Sequence, residues 1–442
     1  MNKTGKTVLK TFKKYFSSVK RKYPINRDEE KKLPIFQYGV SKDSYQRIYS
    51  WGNTTTGALG IPYIKRDEPI DKVTYFRHPK RVTFGERNEV TTAACGFGFT
   101  LFAVNSDDHK LYGSGINTDS QIGYHEVTQN KPLEVLFYPK PIHLPLLKPT
   151  SRILKLAAGR AHSVALTDEG VFLQGNNSYG QCGRKIIQDE DYVRSKTVNH
   201  LTTIDGKDVK DVICGQDHTL LLMNDGSVYS CGWGADGQTG LGHYKNVDVF
   251  HRIKGDIDNE NIVQLACRSD FVLAINDKGE VFGWGNTEYN QLCSETEQQQ
   301  QCNPTFLKSL CHLGKVKSVA TGGSFCLAVN DNGEVFSWGY GLLGVGPNVQ
   351  NSKVPLQIPD TLFGKNDFQP DCMVENVYCG LSHAGAVTNN GDLYMWGRNR
   401  SACLGLGHEK DQYFPFKVSL GAIVKEIFCG VDHTVALCKP FI

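Results

Sequence analysis

Cys214-Gly-Gln-Asp-His218 is followed, after a short apolar run, by Tyr229-Ser-Cys-Gly-Trp-Gly-Ala-Asp-Gly-Gln-Thr-Gly240, and this pairing decides the fold because the chain repeats it. The first half is a small residue, Gly, two residues and usually His. It recurs at Cys95-Gly96, Ala158-Gly159, Cys214-Gly215, Cys267-Arg268, Thr321-Gly322, Cys379-Gly380 and Cys429-Gly430. The second half is usually Trp-Gly-x-Asn followed by Gly-Gln-Leu-Gly or a relative, keyed by Gly52, Gly115, Gly175, Gly232, Gly285, Gly339 and Gly397. From first half to second the step is 16 to 19 residues, whereas from second half to the next unit it ranges from 33 to 44. The near-constant step marks a packed unit, and the variable one places the variation in loops.

Gly52 has no preceding first half, and Gly430 has no following second half. Joined, the two orphans make a seventh unit, so the chain closes into a ring. Repeats of 50 to 63 residues, rich in short strands and Gly turns, predict an all-β, seven-bladed β-propeller. The segment around Ile48–Gly52 is expected to pair with the C-terminal strand around Thr434–Cys438.

The strands are readable residue by residue. Ser163-Val-Ala-Leu-Thr167 and Thr219-Leu-Leu-Leu-Met223 are apolar runs suited to buried strands. Turns such as Asn224-Asp-Gly226 and Asp331-Asn-Gly333 follow such runs, with Gly supplying the positive φ of a tight hairpin. No helical periodicity of useful length runs through residues 48 to 440. The polar stretches 61–90 and 124–153 read as long loops, and the run Gln298 to Gln301 as a solvated loop tip.

A chain of 442 residues would by length alone suggest two or three domains. The repeat overrides that prior and makes 48–442 one propeller, preceded by a leader at 1–30 and a linker at 31–47. No apolar run reaches membrane-spanning length. Residues 1 to 27 hold nine Lys/Arg and no acid, against a net charge of +3 for the whole, so the propeller is mildly acidic. That argues against a broad nucleic-acid surface on the ring and leaves room for a local basic patch. Five of the 14 cysteines recur at one repeat position, where Cys acts as a small buried hydrophobe. No Cys-x-x-Cys pair is present, so neither a disulfide framework nor a metal site is expected. Reduced thiols imply an intracellular compartment. No cofactor is expected.

In the leader, Val8, Phe12, Tyr15, Phe16 and Val19 fall at helical spacing among Lys3, Lys6, Lys10, Lys13, Lys14 and Lys20. A basic, acid-free amphipathic stretch resembles a mitochondrial transit peptide, although it is Lys-rich with Arg only at Arg21 and Arg27. The alternative is a disordered basic tail with a nuclear signal at Lys20-Arg21-Lys22.

The Gly-x-x-His plus Trp-Gly-x-Asn-x-x-Gly-Gln-Leu-Gly repeat resembles the regulator-of-chromosome-condensation family of seven-bladed propellers, over residues 48 to 440. Tyr229 to Tyr244, Cys214-Gly-Gln-Asp-His218 and Asp411-Gln-Tyr-Phe-Pro415 resemble its mitochondrial branch. The resemblance implies a mitochondrial scaffold for ribosomal RNA modification and large-subunit assembly, working with RNA-modifying proteins. A second implication is guanine-nucleotide exchange on a dynamin-like fusion GTPase of the inner membrane, with peripheral membrane association. A third is nuclear exchange on a small GTPase.

The repeated histidines His162, His218, His383 and His433 read first as structural groups bonded to a neighbouring blade. In exchange-factor members, acidic residues and His in this loop contact the GTPase. Asp217 and His218, and Asp432 and His433, match that motif. Asp270 aligns although Phe271 replaces its His, and Arg160 lies in the corresponding region of blade 2. Blade 4 also carries Arg268 in place of Gly, and blade 5 carries Phe325 in place of His. No Ser/His/Asp order, phosphate loop or carboxylate pair stands out, so bond-breaking catalysis is not expected.

Overall fold

Every unit of the repeat folds as a four-stranded antiparallel sheet, and there are seven such sheets. The computed structural model describes residues 46–62, 74–293 and 295–440. The leader and residues 31–45 of the linker lie outside the described residues. Blade 3 shows the plan, with strands Val209–Cys214, His218–Met223, Val228–Gly232 and Val247–Arg252 in spatial order. The innermost strands of blades 1 to 6 are Val90–Cys95, Ile153–Ala158, Val209–Cys214, Ile262–Cys267, Val316–Thr321 and Val374–Cys379. Ala422–Cys429 takes that place in the closing blade.

The second strand of each of blades 1 to 6 is buried along its length because another blade covers each of its faces. His218–Met223 is buried at all six positions, which is why its sequence is a continuous apolar run. The outer strand Val247–Arg252 has no fully buried position. Among the described residues the buried apolar side chains form seven clusters, each shared by two neighbouring blades. Leu220, Leu222 and Val228 of blade 3, for example, pack with Leu265, Val272, Ala274 and Trp284 of blade 4. At about 1.5–3 kcal/mol for each large side chain buried, the junctions between blades hold most of the stability.

The second half of the signature is a socket for this packing. Trp51, Trp284 and Trp338 are fully buried, and their indole N–H groups donate to the carbonyl oxygens of Cys403, Gln238 and Gln291 in the preceding blade, at 2.7, 3.0 and 2.8 Å. The seven key glycines have φ between +96° and +114°. A side chain there would be strained, and at Gly52 its first carbon would sit 2.5 Å from the Asp432 carbonyl oxygen.

The ring closes as the orphan halves require. The strand Arg47–Asn53 pairs antiparallel with His433–Pro440, with Ile48 opposite Leu437 and Gly52 opposite His433. Arg47, placed in the linker by sequence, is thus the first residue of a strand. The stretches read as long loops contain outer strands at Tyr75–Arg81 and Val135–Ile142, and residues 63–73 lie outside the described residues. Gln300 and Gln301 likewise begin the outer strand Gln300–Phe306 rather than a loop tip. These strands carry Pro79, Pro139, Pro141 and Pro304, which only an edge tolerates. Helix is confined to Phe84–Arg87 and two short 3-10 turns among the described residues.

Candidate partner-binding face

Both halves of the signature emerge at the same end of each blade. The backbone N–H after the key glycine donates to the residue before the His position: Asn176 to Ala161, Trp233 to Asp217, Asn286 to Asp270 and Asn53 to Asp432, at 2.8–3.0 Å. One face of the ring therefore gathers every Gly-x-x-His loop and every Trp-Gly-x-Asn loop.

The four histidines are fully buried at this face and bond across blade junctions. His162 Nε2 lies 3.0 Å from Thr219 Oγ1, His383 Nε2 lies 3.3 Å from Thr434 Oγ1, and His433 Nε2 lies 2.9 Å from Thr100 Oγ1. His218 Nε2 lies 3.4 Å from the Cys267 sulfur. Burial pushes His162, His218 and His383 down to about 3, so they are neutral imidazoles. Among the described residues their Nδ1 atoms find no partner. His433 differs because its Nδ1 lies 3.3 Å from Asp432 Oδ1. Burial lowers it too, but the Cys95 sulfur and the Asp432 carboxylate outweigh that and raise it to about 9.

The aspartates occupy graded positions. Asp217 is 7% exposed and joins blade 3 to blade 2 through Arg160, whose Nε and Nη2 reach Asp217 Oδ2 at 2.9 and 2.8 Å. The buried acceptor is thus taken up by a guanidinium. Half of the Arg160 side chain remains exposed. Asp432 accepts from Asn53 Nδ2 at 2.7 Å, and although burial alone would raise it, His433 and Asn53 hold it low. Asp270 accepts from Gln238 Nε2 at 3.1 Å, and burial, reinforced by Asp236 and Asp217, pushes it up to about 6.

Sequence reading missed the aromatic residues beside them. Tyr179 and Trp233 meet edge to face with centroids 4.5 Å apart, and Tyr289 stacks on Tyr340 at 5.8 Å. Each pair joins the residue four after one blade's key glycine to the residue one after the next blade's. Asn176 and Asp119 occupy the same two offsets with a 2.8 Å hydrogen bond. The signal was present as a repeat offset rather than as a motif. Asp119, Asp217, Asp236, Asp270 and Glu288 thus lie on the same face as Arg160 and four aromatic rings. Arg398 and Arg400 stand exposed at the blade 6 end of it. Among the described residues no group of three or more His, Cys, Asp or Glu is placed to hold a metal ion.

Comparison with known proteins agrees with the seven-bladed ring. A human RCC1-like G exchanging factor-like protein is 44% identical, covering 93% of this chain and 90% of its own length. The mouse protein of that name is 43% identical, covering 94% and 92%. The crystal structure of human WBSCR16 superposes with a TM-score of 0.84 at 44% identity, covering 90% of this chain and all of that one. Yeast RCC1 (Prp20), solved bound to Kap60, shares the fold at a TM-score of 0.74 and 20% identity, covering 92% and 91%. The regulator of chromosome condensation (RCC1) repeat model matches residues 46–103, 168–222, 225–275, 278–329 and 390–437. With those repeats laid out as blades of one closed ring, the chain belongs to the regulator of chromosome condensation (RCC1) repeat family.

Proposed function

We propose that this propeller is a binding module that engages a guanine-nucleotide-binding protein through the Gly-x-x-His face and itself breaks no bond. The observation that carries the reading is the concentration of five carboxylates, the half-exposed Arg160 and two aromatic pairs on that one face. Aromatic residues and Arg are the side chains that dominate protein interfaces. The naming of the human and mouse relatives as exchanging-factor-like supports the class of partner. Exchange needs only a difference in affinity. A face that binds the empty GTPase about 4 kcal/mol more tightly than the loaded one weakens nucleotide binding roughly a thousandfold.

The compartment we propose is the mitochondrion, on the strength of the acid-free leader, and the GTPase would then be a dynamin-like protein of the inner membrane. The leader also supports a second reading, a scaffold for large-subunit ribosome assembly in which ribosomal RNA is held through partner proteins. One purification separates the two. Full-length chain and its Tyr289→Ala/Tyr340→Ala variant are captured from mitochondria. Recovery of a GTPase by the first and not the second supports exchange. Enrichment of large-subunit RNA and its assembly proteins by both supports the scaffold. Recovery of neither would reject both. A reporter fused to residues 1–30 that stays cytosolic or enters the nucleus would overturn the compartment.

A further inference from the structure

Blade 4 replaces the signature Gly with Arg268, and the structure shows why the other six blades keep it. A side-chain carbon at Gly159, Gly215, Gly380 or Gly430 would lie 2.0–2.2 Å from Cε1 of that blade's own His. At Gly96 and Gly322 the rings of Phe99 and Phe325 take that space. In blade 4 the ring of Phe271 turns instead toward Gly283, where an added side-chain carbon would be only 3.1 Å from its Cζ. Position 268 is thereby free to carry a side chain.

That side chain crosses the hub of the ring. Nη1 of Arg268 donates to the Cys95 carbonyl oxygen in blade 1 at 2.7 Å, and Nη2 to that of Gly96 at 3.4 Å. The guanidinium lies 5.6 Å from the centroid of the Phe97 ring. The residue is only 8% exposed, its Nε–H has no partner, and no carboxylate among the described residues forms an ion pair with it. The Cys267 and Cys429 sulfurs do not neutralise it. Burial pushes Cys267 well above its ordinary range and Cys429 up to about 12, so both remain thiols. An arginine does not shed its proton. A buried cation served by two carbonyls and a ring face still lacks an anion.

The central channel has room for one. It is open to solvent and holds about 670 Å³, lined by the inner strands of all seven blades, a size within the range of small-molecule sites. Lys155, Lys425 and Arg268 line it against Asp211 and Glu426. Burial shifts both carboxyls upward, toward their neutral forms. We propose that the channel is a binding site for a small oxyanion, a carboxylate or phosphate group, received by the guanidinium of Arg268 where it lines the channel wall. This site is distinct from the GTPase reading, since it uses the channel side of the blade 4 loop and none of the carboxylates, Arg160 or aromatic pairs on which that reading rests.

Titration calorimetry of the full chain with inorganic phosphate, and separately with citrate, at constant ionic strength in sodium chloride tests the proposal. Saturable binding of at least one is expected. Phosphate alone identifies a phosphate ligand, citrate alone a carboxylate. Arg268→Gln should weaken binding by about tenfold or more, the range set by one charge-assisted hydrogen bond. If that variant does not fold, Arg268→Lys decides, because it keeps a cation but loses the planar guanidinium fork. Absence of saturable binding by both probes overturns the site, as does affinity unchanged in whichever variant folds.

Discussion

Truncation after Cys429 removes the strand His433–Pro440 that joins the two ends of the chain, and its cost can be worked from the structure. The deleted strand sits between Arg47–Asn53 and Ala422–Cys429 and pairs with both. Val435 and Leu437 point into the junction with blade 1, Ala436 and Cys438 into the junction with blade 6, and all four are at most 4% exposed. At about 1.5–3 kcal/mol for a buried Val or Leu, the first pair alone contributes about 3–6 kcal/mol. The lost ladder bonds, the Thr434–His383 bond and the exposed neighbouring faces add to this. A whole domain has only about 5–15 kcal/mol, so the loss is comparable to the total. Urea unfolding followed by both circular dichroism and tryptophan fluorescence is the assay. The truncated chain should unfold at a much lower midpoint, with both signals moving together. A midpoint and slope equal to those of the full chain would refute closure through this strand. So would a change confined to the fluorescence of Trp51 while the remaining blades melt as before.

Asp217→Ala should lower stability by about 1–3 kcal/mol, the cost of removing a buried acceptor. A double-mutant cycle with Arg160→Ala should show a smaller coupling, of order 1 kcal/mol, because half of the Arg160 side chain is in water; additive single effects would contradict the pairing. Stability should also depend on pH in two opposite ways. His433, raised to about 9, stabilises fully below its unfolded value near 6.5 and loses that contribution as pH rises through about 9. His162, His218 and His383, lowered to about 3, stabilise above about 6.5 and lose that contribution as pH falls toward 3. Melting temperature measured from pH 4 to 10 should thus peak near neutrality, and His433→Gln should remove part of the alkaline slope; an unaltered slope in that variant would show that His433 carries no charge in the fold.

What could be read from sequence divides along physical lines. The key glycines were legible because a backbone at φ near +110° packed against a neighbouring carbonyl admits little else. The second strands were legible because burial on both faces leaves an unbroken apolar run. The outer strands were not. Val135–Ile142 and Gln300–Phe306 are half exposed and contain proline, so they lack both alternation and apolar density. At the site, Asp217 and Arg160 were each noticed, yet their pairing spans 57 residues. It follows only from knowing that one blade's first loop position faces the next blade's second. The Tyr179–Trp233 and Tyr289–Tyr340 contacts obey a similar inter-blade offset. Arg268 stood out as a departure from the repeat. Its reach to the Cys95 carbonyl depends on the diameter of the hub, which no local pattern encodes.

Release of a fluorescent GDP analogue from the GTPase recovered with this chain tests the central claim most directly. Wild-type propeller should accelerate release catalytically. Tyr289→Ala/Tyr340→Ala, which removes exposed rings without touching the blade cores, should abolish most of that acceleration while melting as the wild type does. Release that is no faster with the propeller than without it, at concentrations where the two proteins bind, would contradict exchange by this face.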